Sequence, residues 1–359
     1  MSEDPNTYSK VDDTVVAELR ELLDGTYVSI AEKHLTTYGR DKITEEQYAG
    51  RAEVVVWPES TEQVMELVRM ARERHIAITP RGGGSGLSGG AVPVEGGIVI
   101  SMERMNRVLE VDEENLVVVL QPGVVTKELD RTLEPYGLFF AGYPMSEEIC
   151  QIGGNVAENA GGGRAVKYGV TGDYVLGMEV VTGAGELLRL GGKRIKDVTG
   201  YDLTSLFVGS EGTLGIITEV TLRLLPRPVA RTAVLGFVPE ESVLKELTPA
   251  LLRDLAGRPS AMELADATCM RLLRELSKQW SWVPEGCGML LVEFDGSDPA
   301  TITGFRDEAE ALMKGQGLIE IQVSGTPLEF EELWKLRKQV PWALMRTSPY
   351  QTLEDVTVP

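Results

Sequence analysis

Apolar and polar positions change period several times along the chain, and each change marks an element. Residues 11–23 (VDDTVVAELRELL) carry apolar positions at helical spacing, and the stretch from there to Arg51 is mixed and polar. From Ala52 the pattern sharpens. AEVVVWP reads as a short strand ended by Pro58. Ser60 or Thr61 is then placed to cap a helix running to His75, with Val64, Leu67, Val68 and Ala71 on one face. IAIT at 76–79 predicts a second strand, leading into a glycine run from Gly82. GGIVIS and NLVVVLQPG predict further strands, followed by a helix over 125–136 that stops at Gly137. Residues 150–173 are polar and glycine-rich, and YVLGMEVVTGAGELLRL then reads as a hairpin around Gly183, Ala184 and Gly185. IITEVTLRLL at 216–225 alternates as a strand should, and Pro226 and Pro228 mark a domain boundary. Beyond it, 231–238 and 288–294 read as strands, and 241–256, 266–278 and 302–315 as helices, a second α+β unit.

The length of 359 residues accommodates two or three domains with their own cores. A formal net charge of −20 argues against a nucleic-acid partner and against general attraction to anionic lipid, since there is no basic stripe to meet phosphates. It leaves anionic ligands open, because a few aimed N–H groups outweigh a distant net charge. Cys150, Cys269 and Cys287 are too few and too widely spaced for a disulfide framework or for iron–sulfur ligation, so such a cluster would sit on another chain. The opening MSEDPNTYSK lacks a basic region followed by an apolar stretch, and no apolar run approaches the roughly 20 residues of a membrane span. The expected compartment is the cytoplasm.

The first chemical signal is the run after Pro80: Arg81, Gly82, Gly83, Gly84, Ser85, Gly86, Leu87, Ser88, Gly89, Gly90. Six glycines in nine positions exceed what a flexible turn needs. They let another group approach the backbone, and successive N–H groups can converge on a phosphate. Residues 84–89 formally satisfy G-x-G-x-x-G, the mark of a nicotinamide-dependent Rossmann enzyme. That fingerprint needs a helix opening at the loop, and AVPVEGG offers none. A diphosphate ligand on something other than a Rossmann unit is the better reading.

Two further glycine regions follow. Residues 150–163 pair bare backbone with Asn155 and Asn159, four apart and so able to share a helical face. Their amides suit a flat heterocycle with imide edges, or equally a polar loop with capping asparagines. Residues 209–215 (GSEGTLG) make a third backbone-exposing turn before the strand IITEV.

With these motifs in order, the chain resembles the flavin-binding domain of the vanillyl-alcohol oxidase / cresol methylhydroxylase (PCMH-type) superfamily. Within it, the likeness is closest to the FAD subunit of glycolate oxidase and to FAD-linked D-lactate dehydrogenases. The likeness rests on TPRGGGSGLSGGAVP, RMNRVLEVD before NLVVVLQPGV, IGGNVAENAGG, VKYGVTGDYVLGMEVV and KDVTGYDLTSLFVGSEGTLGIITEVTL, and it runs from about Glu53 to Pro228. It implies an α+β fold. An N-terminal helical and extended segment at 1–50 would precede a PCMH-type FAD-binding domain of two α/β subdomains at 51–228. A partial substrate or cap domain would fill 229–359.

Residue by residue, the resemblance implies that Arg81, Gly82, Gly83, Gly84, Ser85, Gly86 and Leu87 wrap the FAD pyrophosphate. Ser146, Gly153, Gly154, Asn155 and Asn159 would lie along the flavin and its diphosphate, and Gly161, Gly162, Tyr168, Gly169 and Asp173 would continue that wall. Glu211, Gly212, Gly215, Ile216 and Ile217 would close over the adenosine half. Tyr201 would sit toward the mouth of the site, though an ordinary half-buried tyrosine reads the same. His34 and His75 fall in no flavin motif and His75 ends a helix, so the attachment is expected to be non-covalent.

ELWKLR at 332–337 resembles the family's Trp-x-x-Arg segment, in which the arginine pairs with a substrate carboxylate. Arg337 has the planar fork for it. ELWKLRKQV is also charged all around, as a surface helix would be. The chain ends LEDVTVP, like an interrupted strand. Family members continue into a histidine-rich segment that supplies the base and, in some relatives, metal ligands, so a truncated product, a fragment or half of a split enzyme is expected, with no metal site on this chain. The implied reaction takes a hydride from C2 of a glycolate- or D-lactate-type 2-hydroxy acid to flavin N5. Electrons would pass to an acceptor such as an iron–sulfur or second flavin subunit, through which the chain would sit peripherally at the inner membrane. The alternative is a non-catalytic FAD-binding subunit of such a complex.

Overall fold

Short capped helices and mostly short strands make up the molecule, seen here as a computed structural model that describes residues 8–43 and 45–347 together with Val356. The strand expected at 353–359 lies outside the described residues, Val356 excepted. The chain divides into two compact units. Among the described residues, the first holds those up to Gly162 and then Val170–Pro226, and the second holds Gly163–Gly169 and residues 227–347. The chain thus enters the second unit briefly, for seven residues, before crossing into it again two residues ahead of the boundary expected after Pro228.

In the first unit, the helix Asp13–Leu22 starts at Asp12, whose carboxylate accepts from Val15 N at 2.9 Å. It places Val15 and Leu19 in the same core as Val54, Val56, Val64 and Leu67, so the N-terminal segment is part of this unit. Ser60 is the cap of the helix Thr61–Glu73, accepting from Gln63 N at 3.3 Å. The helix ends two residues short of His75, which takes φ 56° and turns the chain.

The strand Val54–Val56 pairs antiparallel with Val28–Ser29 and parallel with Ile98–Ser101, which pairs parallel with Ile78–Arg81. Residues 82–97 join these two neighbouring parallel strands through turns and bends with no helix, as Pro93 and the glycines require. The Rossmann reading of residues 84–89 fails here. Val108–Asp112, Val117–Leu120, Gly215–Arg223, Val175–Thr182 and Leu187–Gly191 form a five-stranded antiparallel sheet in that order. The expected hairpin is its edge, with Gly185 at φ 74°. The expected helix over 125–136 is α-helical at Thr126–Leu133 and tightens to 3₁₀ before Gly137.

The second unit is a four-stranded antiparallel sheet ordered Ala261–Ala265, Gly288–Gly296, Ala230–Val238, Ile319–Val323. The two central strands are apolar over residues 233–238 and 289–292, where both faces are covered. Val234, Val238, Leu290, Val292 and Phe294 face the helices Leu244–Arg253 and Pro299–Gly315. Leu235, Phe237, Met289 and Leu291 face the helices Ala267–Leu276 and Pro327–Met345. That last helix buries Phe330, Leu333, Trp334, Leu336, Val340 and Ala343, so ELWKLRKQV packs on the sheet and is not a surface helix. Glu331, Glu332, Lys335 and Lys338 are exposed on its other side.

On the same face the strand continues into Glu293 and Asp295, both fully buried. There the cover is the inserted segment Gly163–Gly169. Arg164 Nε lies 3.1 Å from Glu293 Oε1, Lys167 Nζ 2.5 Å from Asp295 Oδ1, and the Tyr168 hydroxyl donates to Asp295 Oδ1 at 2.8 Å. Burial pushes the Glu293 carboxyl above its usual range, although Arg164 and Arg231 pull the other way.

Candidate functional site

The three glycine-rich turns meet at one cavity of about 680 Å³ whose lining residues all belong to the first unit. Arg81 through Leu87, Ser146, Gly153, Gly154, Asn155, Asn159, Gly161, Glu211, Gly212, Gly215, Ile216 and Ile217 line it. Gly162, Tyr168, Gly169 and Asp173 do not. Tyr168 and Gly169 belong to the segment held by the second unit, and Asp173 Oδ2 accepts from Val170 N at 2.8 Å, closing a turn.

The loop 82–90 follows a strand directly and is held against the second glycine region. A Cβ on Gly83 would lie 2.3 Å from the Ile149 carbonyl oxygen, so only glycine permits this approach. Gly212, at φ 76°, would bring a Cβ to 2.6 Å from Pro80 Cγ, which locks the third turn onto the residue before the loop. The flexible-turn reading does not describe such contacts. A helix absent from the sequence reading, Ile152–Glu158, runs between the turns.

The polar groups divide into those committed to the fold and those turned to the cavity. Arg81 is buried, donating through Nη1 to Arg40 O at 2.5 Å and Ala91 O at 3.3 Å, with its guanidinium 5.3 Å from the Tyr38 ring centroid. Asn155 Nδ2 donates to Thr126 Oγ1 at 2.8 Å. Asn159 closes its helix at φ 49° and accepts from Gly172 N at 2.8 Å, the capping role open to it from sequence. Asp41, Glu158 and Glu211 bring carboxylates to the lining, and Ser88 donates to Glu158 Oε2 at 2.9 Å. Burial raises the Glu158 carboxyl from its ordinary value, Ser88 opposes this, and Glu211 and Asp41 add to the rise. Gln151 also lines the cavity, and its Oε1 is buried without a hydrogen-bond partner.

Glu158 sits inside the motif IGGNVAENAGG and Gln151 directly before it, yet neither a glycine count nor helical spacing marks them. Asp41, far upstream, carries no local signal at all. Tyr201 is 94% exposed and lines no part of the cavity. Arg337 lies in the second unit, where its Nε donates to Glu263 Oε2 at 2.6 Å. His34 Nδ1 is 2.8 Å from Ser29 Oγ and His75 stacks on Tyr8, so both histidines stand away from the lining. Among the described residues no helix is long and apolar enough to cross a membrane, and no group of three or more His, Cys, Asp or Glu could hold a metal ion.

A backbone-lined cavity of this size, within the ~300–1,000 Å³ common for small-molecule sites, suits a long diphosphate ligand met by backbone N–H groups. The chain belongs to the FAD-linked oxidoreductases: residues 52–191 match the FAD binding domain family and residues 227–359 the FAD linked oxidases, C-terminal domain. FAD is the cofactor.

Among individual proteins, the chain is 38% identical over 315 residues to glycolate oxidase subunit GlcD of Bacillus subtilis, covering 87% of this chain and 66% of that one. It is 37% identical to a D-lactate dehydrogenase of Anaerostipes hadrus, covering 86% and 66%. It is 33% identical to a D-2-hydroxyglutarate dehydrogenase of Stutzerimonas stutzeri, covering 97% and 74%. The chain therefore spans about two thirds of the length of the first two. Solved structures of alkyldihydroxyacetonephosphate synthase (TM-score 0.76, 21% identity, 95% of this chain and 65% of that one) and of p-cresol methylhydroxylase (0.75, 19%, 92% and 70%) share the fold.

Proposed function

We propose that this chain is the flavin-carrying part of an enzyme that oxidises a 2-hydroxy acid of the glycolate or D-lactate type to the 2-oxo acid. The observation that carries the reading is the cavity built by the three glycine turns, in a chain 33–38% identical to proteins named for such substrates. FAD, when bound, supplies the hydride acceptor. The loop 82–87 would hold its diphosphate through backbone N–H groups, Gly153, Gly154 and Asn155 would flank the flavin, and Glu211 to Ile217 the adenosine half. With no histidine on the lining, and Cys150 buried with its Sγ 3.2 Å from Thr126 Oγ1, the attachment would be non-covalent. Arg337 would bind the substrate carboxylate, held in orientation by Glu263. A subunit carrying an iron–sulfur centre or a second flavin would accept the electrons; the subunit name of the Bacillus subtilis relative supports the presence of a partner.

A second reading, a FAD-binding component without turnover of its own, is favoured by the placement of His34 and His75 away from the cavity, which leaves the lining without an imidazole base. The anaerobic visible spectrum of the purified chain separates the two. Bleaching of the flavin bands on adding glycolate, D-lactate or D-2-hydroxyglutarate is the expected result. Bands that persist with all three would favour the second reading, and a chain that takes up no FAD would overturn both.

A further inference from the structure

Asp41 puts a carboxylate on the wall of a cavity read as a diphosphate site, where its charge alone would oppose the ligand. Both of its oxygens are occupied. Oδ1 accepts from Ile43 N at 2.8 Å, and Oδ2 accepts from Gly89 N at 3.1 Å, inside the glycine loop. The residues on either side hold the same loop. Arg40 O accepts from Arg81 Nη1 at 2.5 Å, and Lys42 N donates to Gly86 O at 3.1 Å. Three consecutive residues, 40–42, thus fasten the loop at Arg81, Gly86 and Gly89. Leu87, Ser88 and Gly89 line this cavity and also a second one of about 550 Å³, so this stretch of the loop is a wall with space on two sides. Its course depends on hydrogen bonds more than on packing, and bonds to an ionised acceptor are the strong ones.

We infer that Asp41 is a positioning residue of the FAD site: its carboxylate fixes the course of the loop 82–90 so that the loop's backbone N–H groups meet the diphosphate. The inference rests on the proposed placement of that diphosphate at residues 82–87. It brings the segment 40–42 into the cofactor site, although the match to the FAD binding domain family starts at residue 52. The role has a sign that charge alone cannot produce. Asparagine at this position removes the negative charge, which by itself would tighten diphosphate binding. It also offers one oxygen where the carboxylate has two. With Ile43 N satisfied, an NH2 group then faces Gly89 N, donor against donor. Loop positioning therefore predicts weaker binding where charge removal predicts tighter.

The test compares the full-length chain with Asp41→Asn and Asp41→Ala, all freed of FAD. FAD and riboflavin binding are followed by fluorescence titration, ADP binding by displacement of FAD, and the apoproteins by thermal melting. The expected result is FAD and ADP binding weakened about tenfold in both variants, with riboflavin binding unchanged. The difference should persist at high salt, where a charge effect would be screened. FAD bound as tightly as by the parent, or more tightly, overturns the inference. So does a loss that riboflavin shares, or one that tracks a lowered apoprotein melting temperature. The parent chain separates this failure from those of the readings beneath it: no FAD uptake sinks the cofactor reading, and no ADP binding sinks the placement of the diphosphate.

Discussion

Glu158 is the residue whose charge opposes the ligand around it. Its carboxyl is half-buried beside the loop proposed to carry a diphosphate, and burial, ahead of Glu211 and Asp41, raises its pKa. A carboxyl raised in the folded state contributes stability that is fully present below its unfolded pKa of about 4.3 and is lost as pH rises through the folded value. FAD affinity should fall across the same window, because the ionised form repels the diphosphate. Glu158→Gln is expected to bind FAD about fivefold more tightly at neutral pH, from a charge–charge contribution of about 1 kcal/mol, the value for unit charges about 4 Å apart in a water-like dielectric. Fluorescence titrations between pH 4 and 8 should also show a flatter profile for the variant. At this scale the sequence reading was strongest where glycine is demanded by a close approach, as at Gly83. It was weakest where a side chain of ordinary type, Glu158, takes its role from what surrounds it.

The strand Gly288–Gly296 shows how one element serves two environments. Its residues Met289 and Leu291 face helices, and its Glu293 and Asp295 face the inserted segment Gly163–Gly169. Apolar periodicity predicted the strand but not why its far end is acidic, since the cations that meet it lie more than a hundred residues upstream. Lys167→Met would leave Asp295 buried without its ammonium partner and should destabilise the protein by about 3 kcal/mol in urea denaturation. Adding Asp295→Asn should recover most of that loss, because no unpaired charge then remains. The same dependence on distant partners hid the strand Val108–Asp112, which is charged and half-exposed, and the helix Ile152–Glu158, whose two glycines lower helix propensity.

For the molecule as a whole, two units have separate cores and only the first lines the cavity. Ligand binding stabilises what it touches, by about 2.7 kcal/mol at a concentration of one hundred times Kd. Hydrogen exchange with saturating FAD should therefore gain protection at 82–90, 150–161 and 209–217, while the strand Gly288–Gly296 changes little. Comparable protection across both units would mean that the cofactor orders more of the chain than its cavity. The units divide at Pro226, two residues before the boundary expected from the prolines. The brief passage of Gly163–Gly169 into the second unit was not readable from the sequence, because no break in composition marks it.

The order of residues was enough to establish the alternation of elements, the cap at Ser60, the hairpin at Gly185 and the glycine turns that announce a diphosphate ligand. All of these are local: they depend on spacing, on φ > 0 and on which side chains reach their own backbone. Folding in three dimensions decided which faces of the sheets are covered, that ELWKLRKQV is buried on one side, and that Arg337 meets Glu263. It also gathered Asp41, Gln151 and Glu158 around one cavity. Those outcomes depend on strand register and on contacts between residues far apart in the chain, where desolvation and unpaired polar atoms set the energies and sequence spacing carries no information.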